Sequence, residues 1–190
     1  MPGSAYQKVM EIAAEQFGYL TTAQAQERGA SDNALRMMAK RGTLERVSWG
    51  VYRLPTFPSS PYAEYMEASL WPAGVAGVIS HQSALALRGL SDVNPSRVHT
   101  TVPIDFRIRR DIPAHLVVHN AELSDEDVTL FEGLPTTTVR RTIEDCHRAL
   151  GPALLRQALE QAEREGYLRP VEAAELRRRV LPEAAPTTNQ

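Results

Sequence analysis

A stripe of polar or flexible side chains on one predicted helix has the chemistry needed to contact duplex DNA: Asn33, Arg36, Met37 and Lys40. An asparagine amide pairs with adenine through two hydrogen bonds, and an arginine pairs with guanine in the same way. Arginine and lysine also bind phosphate oxygens, which position a protein on the duplex without reading its sequence. The stripe is therefore typical of a DNA-reading helix, and an ordinary solvated helix face is the alternative.

The same segment contains the signals that form and orient this helix. Ser31 is a good N-cap, and Asp32 places a negative charge where the helix dipole favours it. Leu35, Met38 and Ala39 follow the i, i+3, i+4 pattern of a buried face. The polar stripe is then expected to point to solvent.

The residues around this helix predict a winged helix-turn-helix over residues 1–55. A first helix spans about residues 5–17, a second follows the caps Thr21 and Thr22, and Gly29 makes the turn before the third. A two-stranded hairpin then turns at Trp49 and Gly50. We expect the Trp49 ring to cover the core rather than to form the tip of the wing.

The local charge agrees with a DNA surface in this region. Residues 28–53 carry six basic and two acidic side chains, a local charge of +4 in a chain whose formal net charge is −2. This excludes a uniformly basic, non-specific nucleic-acid binder and favours a local, salt-sensitive interface. Besides the stripe, the predicted DNA contacts are Arg28, Ser31, Arg41, Arg46 and Arg53.

The bulk composition predicts a globular, cytoplasmic protein without a membrane span. The longest apolar stretch, about residues 73–79, is far shorter than the roughly 20 residues that cross a bilayer. The first 16 residues contain acids and lack the apolar region of a signal peptide. Cys146 is the only cysteine, which excludes an internal disulfide and a zinc finger.

The rest of the chain predicts an α+β protein with a second, mixed α/β domain that ends in helices. Residues 56–61 are rich in proline and serine and are predicted to be a linker, residues 62–181 the second domain, and residues 182–190 a disordered tail. Strands are predicted at residues 75–79, 98–102, 114–119, 128–131 and 134–137, and helices at about 61–70, 80–89, 139–150, 153–165 and 170–181.

Residues that suggest catalysis do not form a complete pattern. His115 and His119 could share a strand face and bind a metal, but no cysteine or carboxylate pattern completes the site, so we predict no metal and no cofactor. Cys146 and His147 are neighbours on a helix and point about 100° apart, which excludes a direct thiol–imidazole pair. Nucleotide-binding glycine motifs and H-E-x-x-H are absent from the sequence, so we predict that the protein is not an enzyme.

One further site is predicted at a helix start in the second domain. Backbone N–H groups at a helix N-terminus attract anions, and Arg140, Arg141 and Thr142 lie at such a position. These residues are predicted to form a surface for phosphate groups.

Three ordered segments resemble the AbiEi family of antitoxins from bacterial type IV toxin–antitoxin systems. They are GYLTTAQAQERG followed by TLERVSWGVYRLP in the first domain, ISHQSALALRGLSD at residues 79–92, and GLPTTTVRRTIEDC at residues 133–146. The resemblance implies an N-terminal domain that represses its own promoter from inverted or direct repeats. It also implies a second domain that neutralises a nucleotidyltransferase-like toxin of the AbiEii type, with or without direct contact, and the Arg140–Arg141 surface is a candidate for this role.

Two other functions stay open at the level of the sequence. The chain is a stand-alone repressor if its second domain senses a ligand or mediates assembly. It is a nuclease with an appended DNA-binding domain if the second domain resembles that of related actinobacterial proteins, although no E-x-K-like core follows its RT-x-x-D segment.

Overall fold

The computed structural model describes residues 4–72 and 74–181, which form two units in contact with each other. The first unit has three helices, α1 (Ser4–Glu15), α2 (Thr22–Glu27) and α3 (Asp32–Lys40). Its strands are β1 (Tyr19–Thr21), β2 (Glu45–Ser48) and β3 (Val51–Arg53), which form an antiparallel sheet in the order β1–β3–β2. This is the element order expected of a winged helix-turn-helix.

The second unit is built on a mixed five-stranded sheet. Its strands are β4 (Val78–Ile79), β5 (Val98–Val102), β6 (Leu116–Asn120), β7 (Val128–Phe131) and β8 (Leu134–Thr137), in the order β6–β5–β4–β8–β7. Strand β5 is parallel to β6, and β4 is parallel to β8, whereas the β4–β5 and β7–β8 pairs are antiparallel. The predicted hairpin around Gly133 is the β7–β8 pair, and a 3-10 turn at Asp125–Asp127 precedes it.

Five helices accompany this sheet: α4 (Ala63–Leu70), α5 (His81–Leu87), α6 (Val139–Cys146), α7 (Pro152–Arg164) and α8 (Pro170–Val180). Helices α5 to α8 bury an apolar cluster in which Leu85 of α5 packs with Ile143 of α6 and Leu159 of α7. Proline at the first position of α7 and α8 suits a helix start, because its missing N–H has no partner within the helix there.

The two units share a hydrophobic cluster. Strand side chains alternate between faces, so one face of the first sheet packs on α1 to α3 while Tyr19 and Val51 point away from them. These two side chains are buried with Met66 and Leu70 of α4 and with Leu134 of β8. The second unit therefore covers the face of the sheet that the helices of the first unit leave open.

The segment predicted as a linker also contacts the first unit. Phe57 packs against the core of α1 to α3, and its carbonyl accepts a hydrogen bond from Arg53 Nη2 at 3.4 Å. The predicted disordered tail, residues 182–190, lies outside the described residues. In the described ranges, none of the helices has the length and apolar content needed to cross a bilayer.

The predicted α+β class is confirmed, and the largest differences from the predicted element bounds are at β4 and α6. Strand β4 begins at Val78 rather than Val75, because the Gly77 N–H donates to the Ser69 carbonyl at the end of α4 instead of to the sheet. Helix α6 ends at Cys146 rather than near Leu150, where the chain turns through residues 147–150 before α7.

Candidate nucleic-acid interface

Two capped helix starts fix the helix-turn-helix. The Thr21 hydroxyl accepts a hydrogen bond from Gln24 N at 3.2 Å, and the Gln24 side chain accepts one from Thr21 N at 2.9 Å. The Ser31 hydroxyl accepts from Ala34 N at 3.2 Å and begins α3 as predicted. Gly29 between the helices has φ of +75°, a conformation that glycine adopts without steric cost. These local contacts set the angle at which α3 leaves α2.

Helix α3 presents the predicted stripe to solvent. Leu35 is fully buried, and Met38 and Ala39 pack beside it against the core. The opposite face exposes all four predicted base-contacting residues: Asn33, Arg36, Met37 and Lys40. The helix therefore has the orientation that base contacts would need.

A groove of about 520 Å³ separates α3 from the β2–β3 hairpin, the wing. Arg36 and Asp32 line it from α3, and Arg46 lines it from β2. Arg36 Nη2 lies 2.6 Å from Asp32 Oδ2, and both side chains remain exposed. The exposed Arg46 donates from Nε to the Ser48 carbonyl at 3.4 Å. One groove is thus lined by an exposed arginine from α3 and an exposed arginine from the wing.

The tip of the wing differs from the prediction. Trp49 is 68% exposed, so the expectation that it covers the core is wrong. Gly50 takes a φ of +75° at the turn, and its carbonyl accepts a hydrogen bond from Thr22 N at 2.8 Å. The start of α2 therefore holds the turn, and the indole ring of Trp49 projects beyond it.

Arg53 does not reach the predicted surface. It shares a sheet face with Val51, is half-buried, and lies 5.9 Å over the Tyr19 ring while donating to the Phe57 carbonyl. This face packs on the second unit, so the predicted DNA contact of Arg53 is wrong.

The remaining predicted contacts lie at the edges of α2 and α3. Arg28 is exposed at the end of α2, where its guanidinium lies 3.6 Å from Glu11 of α1. Arg41 is exposed and caps the C-terminus of α3. Ser31 is exposed, with its hydroxyl used in the cap.

A basic loop of the second unit joins this surface and was missed from the sequence. It follows β5, and three of its side chains, Arg107, Arg109 and Arg110, line a cavity of about 500 Å³ with Trp49 and Trp71. Arg110 lies 5.5 Å over the Trp49 ring and 4.7 Å over the Trp71 ring. It also donates to the Trp49 carbonyl at 3.3 Å and to the Trp71 carbonyl. The run RIRR at residues 107–110 was the available signal, but only the fold shows that it lies beside the wing.

Comparison with known proteins agrees with this geometry. Residues 7–55 match the model of a family described as "Transcriptional regulator, AbiEi antitoxin". The N-terminal unit thus matches the AbiEi antitoxin family. The resemblance is confirmed for the first of its three segments, and residues 7–55 are called the AbiEi unit below.

One solved structure shares the fold over most of the chain. The crystal structure of the RV2827C protein from Mycobacterium tuberculosis aligns with 94% of this chain and 76% of that chain, with a TM-score of 0.53 and 18% sequence identity. At this identity the similarity shows a common fold and nothing about function. No curated protein matches the chain.

The predicted phosphate surface after the AbiEi unit is largely occupied by contacts within the protein. Thr142 is fully buried and donates its hydroxyl proton to backbone carbonyls of the preceding turn, so its predicted surface role is wrong. Arg141 Nε lies 2.9 Å from Asp145 Oδ1, and Arg141 Nη1 lies 3.6 Å from Asp127. Arg140 is exposed but lies 3.5 Å from Glu144. These carboxylates neutralise the charge that would attract a phosphate.

The histidines cluster differently from the predicted pair. His115 is exposed and precedes β6, so it does not share a site with His119. Instead His119 lies against His81 and His99, with 3.7 Å between the ring centres of His81 and His119. Burial and the neighbouring imidazoles lower the pKa of His81 to about 3 and that of His99 to about 4. Burial also lowers the pKa of His119, so all three rings are neutral at pH 7.

Proposed function

We propose that the protein is a DNA-binding autorepressor and antitoxin of a type IV toxin–antitoxin system. Its AbiEi unit would bind repeats in its own promoter, and its second unit would neutralise a nucleotidyltransferase-like toxin. The observation that carries the proposal is the exposed α3 stripe, whose Arg36 lines one groove with Arg46 of the wing, in a unit that matches a family of transcriptional regulators. The cell compartment consistent with this role is the cytoplasm.

The geometry supports separate roles for the basic residues. Arg36 and Asn33 point from α3, where they would meet base edges in the major groove. Lys40 and Arg41 at the end of α3, and Arg46 of the wing, would bind phosphates on either side. Arg107 and Arg109 would extend the phosphate contacts beyond the wing tip, since both line the cavity beside Trp49.

The charge distribution supports salt-dependent, site-specific binding. The whole chain has a formal net charge of −2, so attraction to DNA would come from the basic surface around the wing and not from the protein as a whole. Each phosphate contact releases counterions, and the affinity would fall steeply as salt rises. A protein of this charge would bind random DNA weakly at physiological salt.

The first experiment measures binding of the full chain to its own promoter and to a scrambled duplex across a salt series. Wild type should prefer the promoter, and Arg36→Ala should lose about 1–3 kcal/mol of binding free energy and part of this preference. Lys40→Ala should weaken both duplexes to a similar extent and reduce the salt slope by about 1. Arg156→Ala, an exposed arginine on α7, is the matched control and should bind as wild type.

The ion pair between Arg36 and Asp32 requires an additional variant. Removing Arg36 leaves the Asp32 carboxylate without the partner that it has at 2.6 Å, and this charge would repel phosphates. The double variant Asp32→Asn with Arg36→Ala removes that repulsion, so its remaining defect is the lost arginine contact. Equal binding of wild type to promoter and scrambled DNA would overturn the autorepressor role.

The antitoxin role is tested by separation of function. The full chain is co-expressed with a nucleotidyltransferase-like toxin of the AbiEii type, taken from the adjacent gene where that gene encodes one, and growth is measured. Wild type and Arg36→Ala should both restore growth, because the variant changes only the DNA-reading face. Failure of wild type to restore growth would overturn the antitoxin role and leave a stand-alone repressor.

A further inference from the structure

Three histidines from three elements of the second unit meet on one side of its sheet. His99 lies on β5 and His119 on β6, and His81 is the first residue of α5. In the parallel β5–β6 pair, Thr101 lies opposite His119, so His99 and His119 share a face. The alternate residues of these strands, Val98 and Leu116 among them, point into the apolar cluster beneath α4. The imidazoles therefore occupy the polar face of this pair.

The nitrogen atoms of the three rings converge. His99 Nδ1 and His119 Nε2 are 3.0 Å apart, and one nitrogen from each of the three residues lies within 4.8 Å of the others. The rings of His81 and His119 stack at an interplanar angle of 11°. All three side chains are half-buried, so the cluster is held by the fold and is also open to solvent.

Buried hydroxyl groups contact the His81 ring and the backbone of His99. The Ser80 hydroxyl lies 3.0 Å from His81 Nδ1 and accepts a hydrogen bond from the Thr101 hydroxyl at 2.7 Å. The Ser83 hydroxyl accepts from His99 N at 2.8 Å, and the His99 carbonyl accepts from Ser80 N at 3.1 Å. A contact like that between Ser80 and His81 Nδ1 orients an imidazole ligand in a metal site, because it fixes which nitrogen faces the ion, whereas the contacts of His99 fix only its position on β5.

The backbone of His81 adds an independent observation. Its φ of +52° lies in the left-handed region, which is unfavourable for a residue with a side chain. The surrounding structure nevertheless holds His81 there, and the ring is directed onto His119. Strain of this kind is concentrated at functional sites.

We propose that His81, His99 and His119 bind one divalent transition-metal ion of the zinc class. Imidazole nitrogens suit Zn²⁺, Co²⁺, Ni²⁺ and Cu²⁺, whereas Mg²⁺ and Ca²⁺ require oxygen ligands. Bonds of about 2.0–2.1 Å separate two nitrogens of a tetrahedral site by about 3.4 Å. This is close to the 3.0 Å between His99 Nδ1 and His119 Nε2 and is below the 4.8 Å within which all three ligand atoms lie. Three protein ligands leave a fourth position for water or an external ligand.

Metal binding would rearrange the cluster slightly. The ion would replace the His99–His119 hydrogen bond, and the stacked His81 ring would turn because two parallel rings cannot both direct a lone pair at one ion. Arg141, a cation whose charge acts on His81, is paired with Asp145 at 2.9 Å, which reduces its repulsion of the ion. The bound ion would join α5, β5 and β6.

The test uses the full, untagged chain after treatment with EDTA and removal of the chelator. Titration with ZnCl₂ in a calorimeter should give one ion per chain, and CoCl₂ should give visible d–d bands of a low-coordinate nitrogen site. His81→Gln and His119→Gln should each abolish both signals. His115→Gln and His147→Gln, exposed histidines outside the cluster, should retain them.

A variant of Ser80 and thermal melting test whether the histidine variants act through metal binding or through misfolding. Ser80→Ala leaves the three ligands intact and should weaken Zn²⁺ binding about 10–100-fold by releasing the His81 ring. Zn²⁺ should raise the melting temperature of wild type and not that of His81→Gln, and circular dichroism identifies a variant that fails to fold. Absence of Zn²⁺ and Co²⁺ binding in folded wild type, or binding that survives both cluster variants, would overturn the proposal without affecting the DNA-binding role.

Discussion

The guanidinium of Arg110 lies 5.5 Å from the ring centre of Trp49, and its Nη1 donates to the Trp49 carbonyl at 3.3 Å. Arg110 belongs to the loop after β5 in the second unit, whereas Trp49 forms the tip of the wing. The same guanidinium also lies over the ring of Trp71, 4.7 Å from its ring centre. The second unit therefore helps to place the wing, and the proposed DNA surface is not independent of it.

Arg110→Ala should loosen the wing without unfolding the protein. A cation–π contact at an exposed site contributes about 0.5–1 kcal/mol, so we expect promoter affinity to fall about two- to fivefold. The two tryptophans of the chain are Trp49 and Trp71, and both contact Arg110. Intrinsic fluorescence should therefore change in wavelength and intensity when Arg110 is removed.

The matched control is Arg109→Ala. Arg109 is exposed and lines the same cavity, so its loss should weaken DNA binding while leaving the fluorescence close to that of wild type. If Arg110→Ala and wild type give the same fluorescence and the same affinity, the link between wing and second unit has no role in solution.

Gly77→Ala should lower the free energy of unfolding by about 1–3 kcal/mol, because the site is already filled. An added Cβ would meet the Thr100 hydroxyl and would lie 3.2 Å from both Pro72 Cγ and the Ser69 carbonyl. Urea unfolding followed by circular dichroism measures the change. Gly151 is the N-cap of α7, and only its chain neighbours lie within 4 Å of an added Cβ. Gly151→Ala should therefore cost only the roughly 0.5–1 kcal/mol of a less favourable N-cap, and an equal effect at both sites would contradict the packing argument.

The parts of the fold that the sequence predicted are those with local signals. Helix α3 begins at its Ser31 cap, and the hairpin turns at Gly50, because a cap and a tight turn depend on residues a few positions apart. The orientation of the α3 stripe follows from the position of Leu35 in the same helix. The apolar pattern of α3 therefore predicted correctly which face of the helix is exposed.

The parts that the sequence missed depend on contacts between distant segments. Arg53 was placed at the DNA surface because nothing local shows that α4 covers that face of the sheet. His119 was paired with His115, the histidine at even spacing, but its neighbours in space are His81 and His99, which strand pairing brings to it. Arg110 reaches Trp49 across 61 positions of sequence.

Arg88→Ala should destabilise the second unit by about 2 kcal/mol or more, through lost packing and lost hydrogen bonds. Arg88 is 8% exposed, and it donates to the Ala84 carbonyl at 3.1 Å and to the Thr137 carbonyl at 2.9 Å. Burial lowers the pKa of Arg88 to about 10, so the guanidinium stays charged at pH 7.

The free energy of unfolding in urea, compared between Arg88→Ala and Arg88→Lys, measures how much the two hydrogen bonds of the guanidinium contribute. Arg88→Lys should recover only part of the loss, because one ammonium group cannot span both carbonyls as the planar guanidinium does. Arg97→Ala, an exposed arginine between α5 and β5, should change stability little. Equal stability of Arg88→Ala and wild type would show that these hydrogen bonds contribute nothing net.

Cys146 should be unreactive in the native protein and should report opening of the helical core. Its side chain is fully buried with Ile143 and Leu155, and burial together with the Asp145 charge raises the pKa of the thiol to about 12. A disulfide reagent such as DTNB reaches this thiol only when the helical core opens. In a domain with at least about 5 kcal/mol of stability, labelling at pH 8 should therefore be at least about a thousandfold slower than that of a free thiol. In urea above the midpoint, labelling should reach one thiol per chain, since Cys146 is the only cysteine. Rapid stoichiometric labelling of a protein whose circular dichroism is native would mean that α6 and α7 separate readily, contrary to the packing seen here.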